Sequence, residues 1–159
     1  MCIRDSSKID SEIIFEWSNL ECPYVKRHYG SNNMQTTQKF AKSKNVIWIT
    51  VISSAEGKQG YIQPNNALNT FASFGSFPDH ILIDENGDLG KKFNAKTTPH
   101  IFIADKNKNI VYQGAIDDAG GSRFWTTDLN QSTNFVKKVV NDIKSNKPLS
   151  VSKTRPYGC

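Results

Sequence analysis

The sequence has few cysteines and lacks long apolar runs, and these two features exclude several classes of protein. Its 159 residues include three cysteines, too few and too dispersed for a disulfide framework or a four-thiolate zinc site. Its apolar runs stay well short of the roughly 20 residues that a membrane helix needs, and the start lacks a basic segment followed by an apolar one. We therefore expect the chain as given to be soluble, with no membrane partner and at most one redox pair of cysteines.

Clusters of charge of one sign are also missing. The 20 Lys and Arg residues outnumber the 15 Asp and Glu residues and give a formal net charge of +5, but they are scattered along the chain. A nucleic-acid-binding surface would need a basic stripe interleaved with stacking aromatic residues. The histidines at positions 28, 80 and 100 are too far apart to show metal-ligand spacing. The composition therefore predicts neither a nucleic-acid partner nor a metal.

What the sequence does contain is an alternation of short strands and helices. The β-branched and aromatic runs at 12–17 and 46–52 predict buried, neighbouring strands, the second apolar enough to be covered on both faces. Helical spacing follows each strand, starting near Pro23 and Pro64, with a break in the first helix around Gly30. Later segments predict strands at 81–84, 100–105 and 110–114, a short helix at 89–93 and a last helix at 130–144. The strands at 100–105 and 110–114 are spaced as an antiparallel hairpin.

The first eleven residues, MCIRDSSKIDS, do not share this pattern. We expect residues 1–11 to be disordered or foreign, with the true N-terminus truncated, and we leave Cys2 out of the functional argument. The pattern predicts a single α/β domain over residues 12–159.

Cys22 lies between the first predicted strand and the first predicted helix. The first-turn N–H groups of a helix lack partners and the helix dipole is positive there, so both favour the thiolate. Lys26, one turn later, adds positive charge on the same side. Position alone fits either a reactive thiol or a small buried residue. The segment Thr97-Thr98-Pro99, at the start of a strand, fits either a cis peptide bond or an ordinary strand boundary.

Other polar residues fit structural roles. We expect His28 to be a solvated helix residue and Asp84, Asp117 and Asp118 to form turns. His100 either lines the site beside Pro99 or is a strand histidine with a backbone partner.

Four segments together resemble the thioredoxin superfamily and, within it, the redoxin group that includes alkyl hydroperoxide reductase and thiol-specific antioxidant proteins. They are EWSNLECPYVKRHY at 16–29, KTTPH at 96–100, GAIDD at 114–118 and TRPYGC at 154–159. The resemblance covers about residues 12–159. It implies a thioredoxin-like fold, with a central mixed β-sheet flanked by helices on both faces, a reactive thiol at the first helix and a cis-proline loop facing it.

The resemblance also implies roles for individual residues. Cys22 is the nucleophile, and Thr98 and Pro99 form the facing loop that orients the substrate, together with Asn19 and Pro23. Attack on a peroxide leaves a sulfenic acid and attack on a disulfide leaves a mixed disulfide, and a second thiol must resolve either product. Cys159 is the intramolecular candidate if the tail folds back over the helix start, and otherwise it is a surface thiol on a frayed end.

Two departures from the family pattern bear on the substrate. Position 25 is Val rather than Cys, which excludes a Cys-x-x-Cys cycle, and typical peroxiredoxins have Thr or Ser where Asn19 stands and Pro where Phe15 stands. We expect a thiol-dependent, peroxiredoxin-like oxidoreductase that reduces peroxides or disulfides and is itself reduced by an external thiol such as a thioredoxin-like protein, with no metal or organic cofactor. The alternatives are a thiol-disulfide oxidoreductase acting on protein disulfides and a non-catalytic binding module. The compartment, cytoplasmic or periplasmic, is left open.

Overall fold

A computed structural model describes residues 10–159. Cys2 and most of the predicted foreign segment, residues 1–11, therefore lie outside the described residues. The domain boundaries at residues 12 and 159 stay predictions. Within residues 10–159, none of the helices combines the length and the apolar character needed to cross a bilayer.

A five-stranded mixed sheet forms the centre of the fold, in the order β3-β2-β1-β4-β5. Its strands are β1 (Ile13–Trp17), β2 (Ile47–Ile52), β3 (His80–Ile83), β4 (His100–Ala104) and β5 (Ile110–Gly114). The central strand β1 is parallel to β2 and antiparallel to β4, and β4 and β5 form the predicted antiparallel hairpin. The predicted mixed α/β sheet is confirmed.

Helices cover both faces of the sheet, as predicted. They are α1 (Pro23–Gly30), α2 (Asn33–Ser43), α3 (Ala67–Ser73), α4 (Asp88–Phe93) and α5 (Phe135–Lys144). The break between α1 and α2 is confirmed, and Asn32 takes a left-handed conformation there, with φ 65°. The last helix starts five residues later than predicted. Residues Leu129–Gln131 form a separate 3-10 turn, and Asn134 caps α5 by accepting a hydrogen bond from the Lys137 N–H.

Alternation along the strands divides the core into two layers. Ile14, Trp48 and Ile103 face one layer, which is packed by residues of α1, α2, α3 and α5. Trp17 and Phe102 face the other, which is closed by Leu89 and Phe93 of α4. The sheet is therefore buried on both faces, as its apolar central strands require.

The register of β1 and β4 determines where the site forms. Trp17, the last residue of β1, pairs with His100, the first residue of β4. The chain that follows β1 and the chain that precedes β4 therefore emerge side by side at one end of the sheet. These are the segments that contain Cys22 and Pro99.

The C-terminal tail, residues 145–159, returns to the same end of the sheet. It runs beside β5, where the Gln113 N–H donates to the Ser152 carbonyl at 3.2 Å and the Thr154 N–H donates to the Gln113 carbonyl at 3.0 Å. The Thr154 hydroxyl anchors this crossing, since it accepts the Ala115 N–H at 2.9 Å and contacts the Tyr112 hydroxyl at 2.7 Å. The tail is therefore docked against the sheet rather than frayed.

Candidate active site

Cys22 is the N-terminal capping residue of α1. Its backbone is extended (φ −75°, ψ 127°), and its carbonyl accepts the Lys26 N–H at 2.9 Å, the first hydrogen bond of the helix. Its own N–H donates to the Asn19 carbonyl at 3.0 Å, which fixes the turn between β1 and α1. Pro23 occupies the first helical position, where a missing N–H costs nothing. The sulfur therefore lies at the positive end of a helix.

The predicted facing loop lies against this sulfur. The Thr98–Pro99 peptide bond is cis, and the Cys22 Sγ is 3.3 Å from the Thr98 carbonyl oxygen. The two segments meet because β1 and β4 are neighbours in the sheet. The structure thus brings together Cys22, Thr98 and Pro99.

Cys159 completes the group, since its sulfur is joined to Cys22 in a disulfide with the two Cα atoms 6.1 Å apart. The Cys159 N–H donates to the Thr98 carbonyl at 3.1 Å, and the Thr98 N–H donates to the Cys159 carbonyl at 3.3 Å. Gly158 permits this approach: its φ is 153°, and a Cβ there would overlap the Thr98 carbonyl. The end of the tail is therefore held against the loop by two backbone hydrogen bonds as well as by the disulfide.

Burial differs between the two cysteines in this oxidised state. Cys22 is 1% exposed, whereas Cys159 is exposed. The bonded Cys159 sulfur is part of the cover over Cys22 in this state.

Asn19 and Pro23, predicted to orient substrate, flank Cys22 in different ways. The Asn19 side-chain oxygen accepts the Glu21 N–H at 2.8 Å, and its amide packs against Gly60. Asn19 thereby holds the turn that presents Cys22. Pro23 is exposed beside the disulfide. Their roles toward a substrate stay predictions.

A buried polar cluster beside the disulfide corrects two expectations. His28 is fully buried rather than solvated, and Asp117 is 1% exposed rather than part of a surface turn. The Tyr157 hydroxyl lies between them: it donates to the Asp117 carboxylate and is 3.3 Å from His28 Nε2. On the other side of the ring, the Asn33 amide donates to His28 Nδ1 at 3.0 Å and to Asp117 Oδ2 at 3.1 Å. We name His28, Asn33, Asp117 and Tyr157 the tail-anchor cluster.

The hydrogen bonds of the tail-anchor cluster determine the state of its histidine. Because Asn33 donates to Nδ1, that nitrogen accepts, and the proton of neutral His28 is on Nε2, facing the Tyr157 oxygen. Burial, with a smaller contribution from the Arg27 charge, lowers the pKa of His28 to about 3. Burial also raises the pKa values of Asp117 and Tyr157. His28 is therefore uncharged at neutral pH.

His100 and Asp84 have structural roles. His100 takes the second of its two predicted alternatives, because its Nδ1 accepts the Lys96 N–H at 3.1 Å and its ring is 4.4 Å from that of Phe102. Asp84 forms the predicted turn and accepts the N–H groups of Leu89 and Gly90 at the start of α4. Among residues 10–159, His, Cys, Asp and Glu side chains form no group of three that could hold a metal ion.

Solved structures with the same architecture support the fold assignment. An uncharacterized conserved protein from Geobacillus kaustophilus superimposes with a TM-score of 0.76 at 20% identity, over 94% of this chain and 76% of that one. A hypothetical protein from Sinorhizobium meliloti gives 0.73 at 17% identity, over 94% and 78%. A thioredoxin-like protein from Aeropyrum pernix gives 0.50 at 21% identity, over 68% and 71%. These similarities establish a thioredoxin-like fold.

Comparison with curated proteins gave no match. The family model for redoxin matches residues 9–127, a range that contains Cys22, Thr98 and Pro99 and leaves out the tail with Cys159. Since this match spans well over half of the sequence and agrees with the fold, the chain belongs to the redoxin family.

Proposed function

We propose that this redoxin reduces disulfide bonds in other proteins, with Cys22 as the nucleophile and Cys159 as the resolving cysteine. Membership of the family supports thiol-dependent oxidoreductase activity in general. The observation that carries the finer proposal is the Cys22–Cys159 disulfide, formed between a helix N-terminus and a tail residue paired with Thr98.

The reaction starts from the reduced protein. The Cys22 thiolate attacks one sulfur of the substrate disulfide, which releases the other sulfur as a thiolate that takes up a proton and leaves Cys22 in a mixed disulfide. The Cys159 thiolate then attacks Cys22 Sγ, forms the Cys22–Cys159 disulfide and releases the second substrate thiol. The substrate gains two electrons and two protons, and the protein loses them.

An external dithiol, such as that of a thioredoxin-like protein, must restore the reduced pair. Its first thiolate opens the Cys22–Cys159 disulfide, and its second thiol resolves the resulting mixed disulfide, so the donor leaves as a disulfide. Cys22 is a good leaving group in this step, because the N-terminus of α1 stabilises its thiolate.

The tail favours a protein disulfide as the substrate. The tail is itself an extended peptide that ends in a cysteine, and the backbone of Cys159 exchanges two hydrogen bonds with Thr98, which supports an extended peptide as the substrate. A substrate peptide that replaced the tail would gain the same two bonds and would place its sulfur beside Cys22. Peroxide, which has no backbone, gains nothing from this edge, and Asn19 replaces the hydroxyl-bearing residue typical of peroxiredoxins.

Insulin reduction and peroxide consumption, measured with the same reductant, test the proposal. We expect catalysed insulin reduction by the wild type and by Cys2→Ser, no catalysis by Cys22→Ser, and a trapped mixed disulfide on Cys22 in Cys159→Ser. Faster peroxide consumption than insulin reduction would replace the proposal with the peroxidase alternative. An inactive protein whose Cys22 reacts with iodoacetamide no faster than free cysteine would instead indicate a binding module.

A further inference from the structure

We propose that Tyr157 is a positioning residue for the resolving cysteine: its hydroxyl, held by Asp117 and His28, keeps Cys159 within reach of Cys22 after the disulfide has opened. The inference rests on the proposed function, since it assigns the group that controls the second step. It concerns a residue outside the range matched by the family model.

The contacts of Tyr157 are those of a docked side chain. Its hydroxyl donates to the buried Asp117 carboxylate and faces His28 Nε2. Its ring packs against the rings of Tyr24 at 6.1 Å and Phe124 at 5.3 Å between centroids. Gly120 leaves room for the ring, because a Cβ at position 120 would lie 2.5 Å from Tyr157 Cδ1. The site is built for an aromatic ring with a hydroxyl at its tip.

Chain geometry links this docked ring to the thiol. Cys159 follows Tyr157 by two residues, and two extended residues span at most about 7 Å. While the ring stays docked, the Cys159 sulfur therefore remains close to Cys22 even when the hydrogen bonds to Thr98 break. The last fixed point before Tyr157 is Thr154, which is held to β5. Without the Tyr157 anchor, only the two hydrogen bonds between Cys159 and Thr98 would hold the five residues beyond Thr154.

The buried carboxylate makes the anchor strong. Hydrogen bonds to charged groups are stronger than those between neutral groups, and a buried acceptor that loses its donor is destabilised. When the ring leaves, Asp117 loses the Tyr157 hydroxyl and keeps the Asn33 amide and the Ala119 N–H. Docking of the tail is therefore favoured in the reduced protein as well, where the covalent link is absent.

Anchoring has opposite consequences for the two steps of catalysis. A docked tail covers the Thr98 backbone, which a substrate peptide needs, so loss of the anchor leaves the attack by Cys22 as fast or faster. Resolution depends on a nearby Cys159, so loss of the anchor slows it. A residue that merely stabilised the fold would not separate the two rates in this way.

The test uses Tyr157→Phe in the full chain, with Tyr61→Phe as the control for a tyrosine outside the tail-anchor cluster. Equilibration with glutathione gives the stability of the Cys22–Cys159 disulfide relative to the dithiol. Because the anchor holds the tail in both the oxidised and the reduced protein, its loss destabilises both states and the two effects cancel in part. We therefore expect the disulfide stability to fall by up to about tenfold in Tyr157→Phe, below the 10- to 100-fold range for full loss of a hydrogen bond to a charged group. That corresponds to a reduction potential up to about 30 mV higher. The control should match the wild type.

Single-turnover reaction with insulin, quenched with acid and analysed by mass spectrometry, separates the two steps. Tyr157→Phe should accumulate the Cys22 mixed disulfide at an undiminished rate and then resolve it slowly. Asp117→Asn, which keeps the shape but weakens the acceptor, should shift both measurements in the same direction by less, and it provides the test if Tyr157→Phe does not fold.

The outcomes distinguish the inference from the proposed function. Unchanged disulfide stability and unchanged resolution in both variants would overturn the role of Tyr157 while leaving the activity intact. A wild type that reduces no insulin, in which Tyr157→Phe still weakens the disulfide, would overturn the proposed function and retain Tyr157 as the anchor of Cys159.

Discussion

The Cys22–Cys159 disulfide should be a major source of stability, and its contribution can be worked out from its sequence separation of 137 residues. In the chain-entropy model, closing a loop of this length lowers the entropy of the unfolded chain enough to stabilise the folded state by about 5 kcal/mol at 25 °C. Cys159→Ser removes the covalent link and keeps the backbone that pairs with Thr98. We therefore expect Cys159→Ser to lose about 5 kcal/mol of unfolding free energy.

Thermodynamic linkage gives a second value from the same number. The amount by which the disulfide raises the free energy of unfolding equals the amount by which folding stabilises the disulfide against reduction. About 5 kcal/mol therefore corresponds to a difference of roughly 100 mV between the reduction potentials of the disulfide in the folded and unfolded chains. The Cys22–Cys159 pair should be that much harder to reduce in buffer than in concentrated urea.

Urea unfolding monitored by circular dichroism tests both values. The samples are the oxidised protein, the protein in excess reductant, Cys159→Ser and Cys2→Ser. Reduction and Cys159→Ser should lower the midpoint equally, and Cys2→Ser should match the oxidised wild type. A difference below about 1 kcal/mol between the oxidised and reduced proteins would refute the reasoning, because the loop entropy would then be offset by strain or by structure in the unfolded chain.

Three further predictions concern the tail-anchor cluster and the cap of α5. The pKa of His28 falls from 6.5 in the unfolded chain to about 3 in the fold, so protonation favours the unfolded chain as the pH drops below 6.5. Between pH 8 and pH 5 the wild type should therefore lose about 2 kcal/mol of unfolding free energy that His28→Gln does not lose. Urea unfolding at several pH values measures this, and an equal dependence of the unfolding free energy on pH in the two proteins would contradict the prediction. Gly120→Ala should speed reduction of the disulfide by dithiothreitol about tenfold, since overpacking against Tyr157 costs roughly 1–3 kcal/mol, whereas Gly30→Ala, which has open space around it, should not. Asn134→Ala should lower the unfolding free energy by about 1 kcal/mol through loss of the α5 cap; an unchanged urea midpoint would exclude that role.

The parts of the site that were predicted from sequence have local signals. Cys22 lies between a buried strand and a helix that begins with proline, and this pattern indicates a candidate reactive thiol without knowledge of the fold. Pro99 lies at the start of a later strand, which indicates a candidate cis peptide bond. The resemblance to redoxins then places Cys22 and Pro99 face to face. The pairing of Cys159 was one of two alternatives, because nothing in residues 145–159 indicates where an extended tail docks.

The tail-anchor cluster had a weaker signal, because His28, Asp117 and Tyr157 lie in three of the four segments that resemble the family but nothing in those segments indicates that the three side chains are buried together. Tyr157 is 129 residues from His28 and 40 from Asp117, and each residue type is common on surfaces, so only packing reveals their burial. Glu16 is a similar case: a carboxylate in a strand, it is fully buried among the hydroxyls of Tyr29 and Thr50 and the indole N–H of Trp48. Burial raises its pKa. Alternation along β1 places Glu16 on the same face as Ile14, the face packed by α1, α2, α3 and α5. The sequence alone does not predict its burial, because that depends on which faces of the sheet the helices cover.

The same backbone edge serves two purposes that exclude each other. Thr98 pairs with Cys159 in the oxidised protein, and in the proposed reaction it pairs with the substrate peptide. A substrate must therefore displace two backbone hydrogen bonds of the tail, and the tail must displace the substrate before Cys159 can reach Cys22. In the proposed reaction Tyr157 holds the tail two residues before Cys159, so only the last two residues need to move for a substrate peptide to enter. Cys159 therefore stays close to Cys22 and is the nearest thiol that can attack the mixed disulfide.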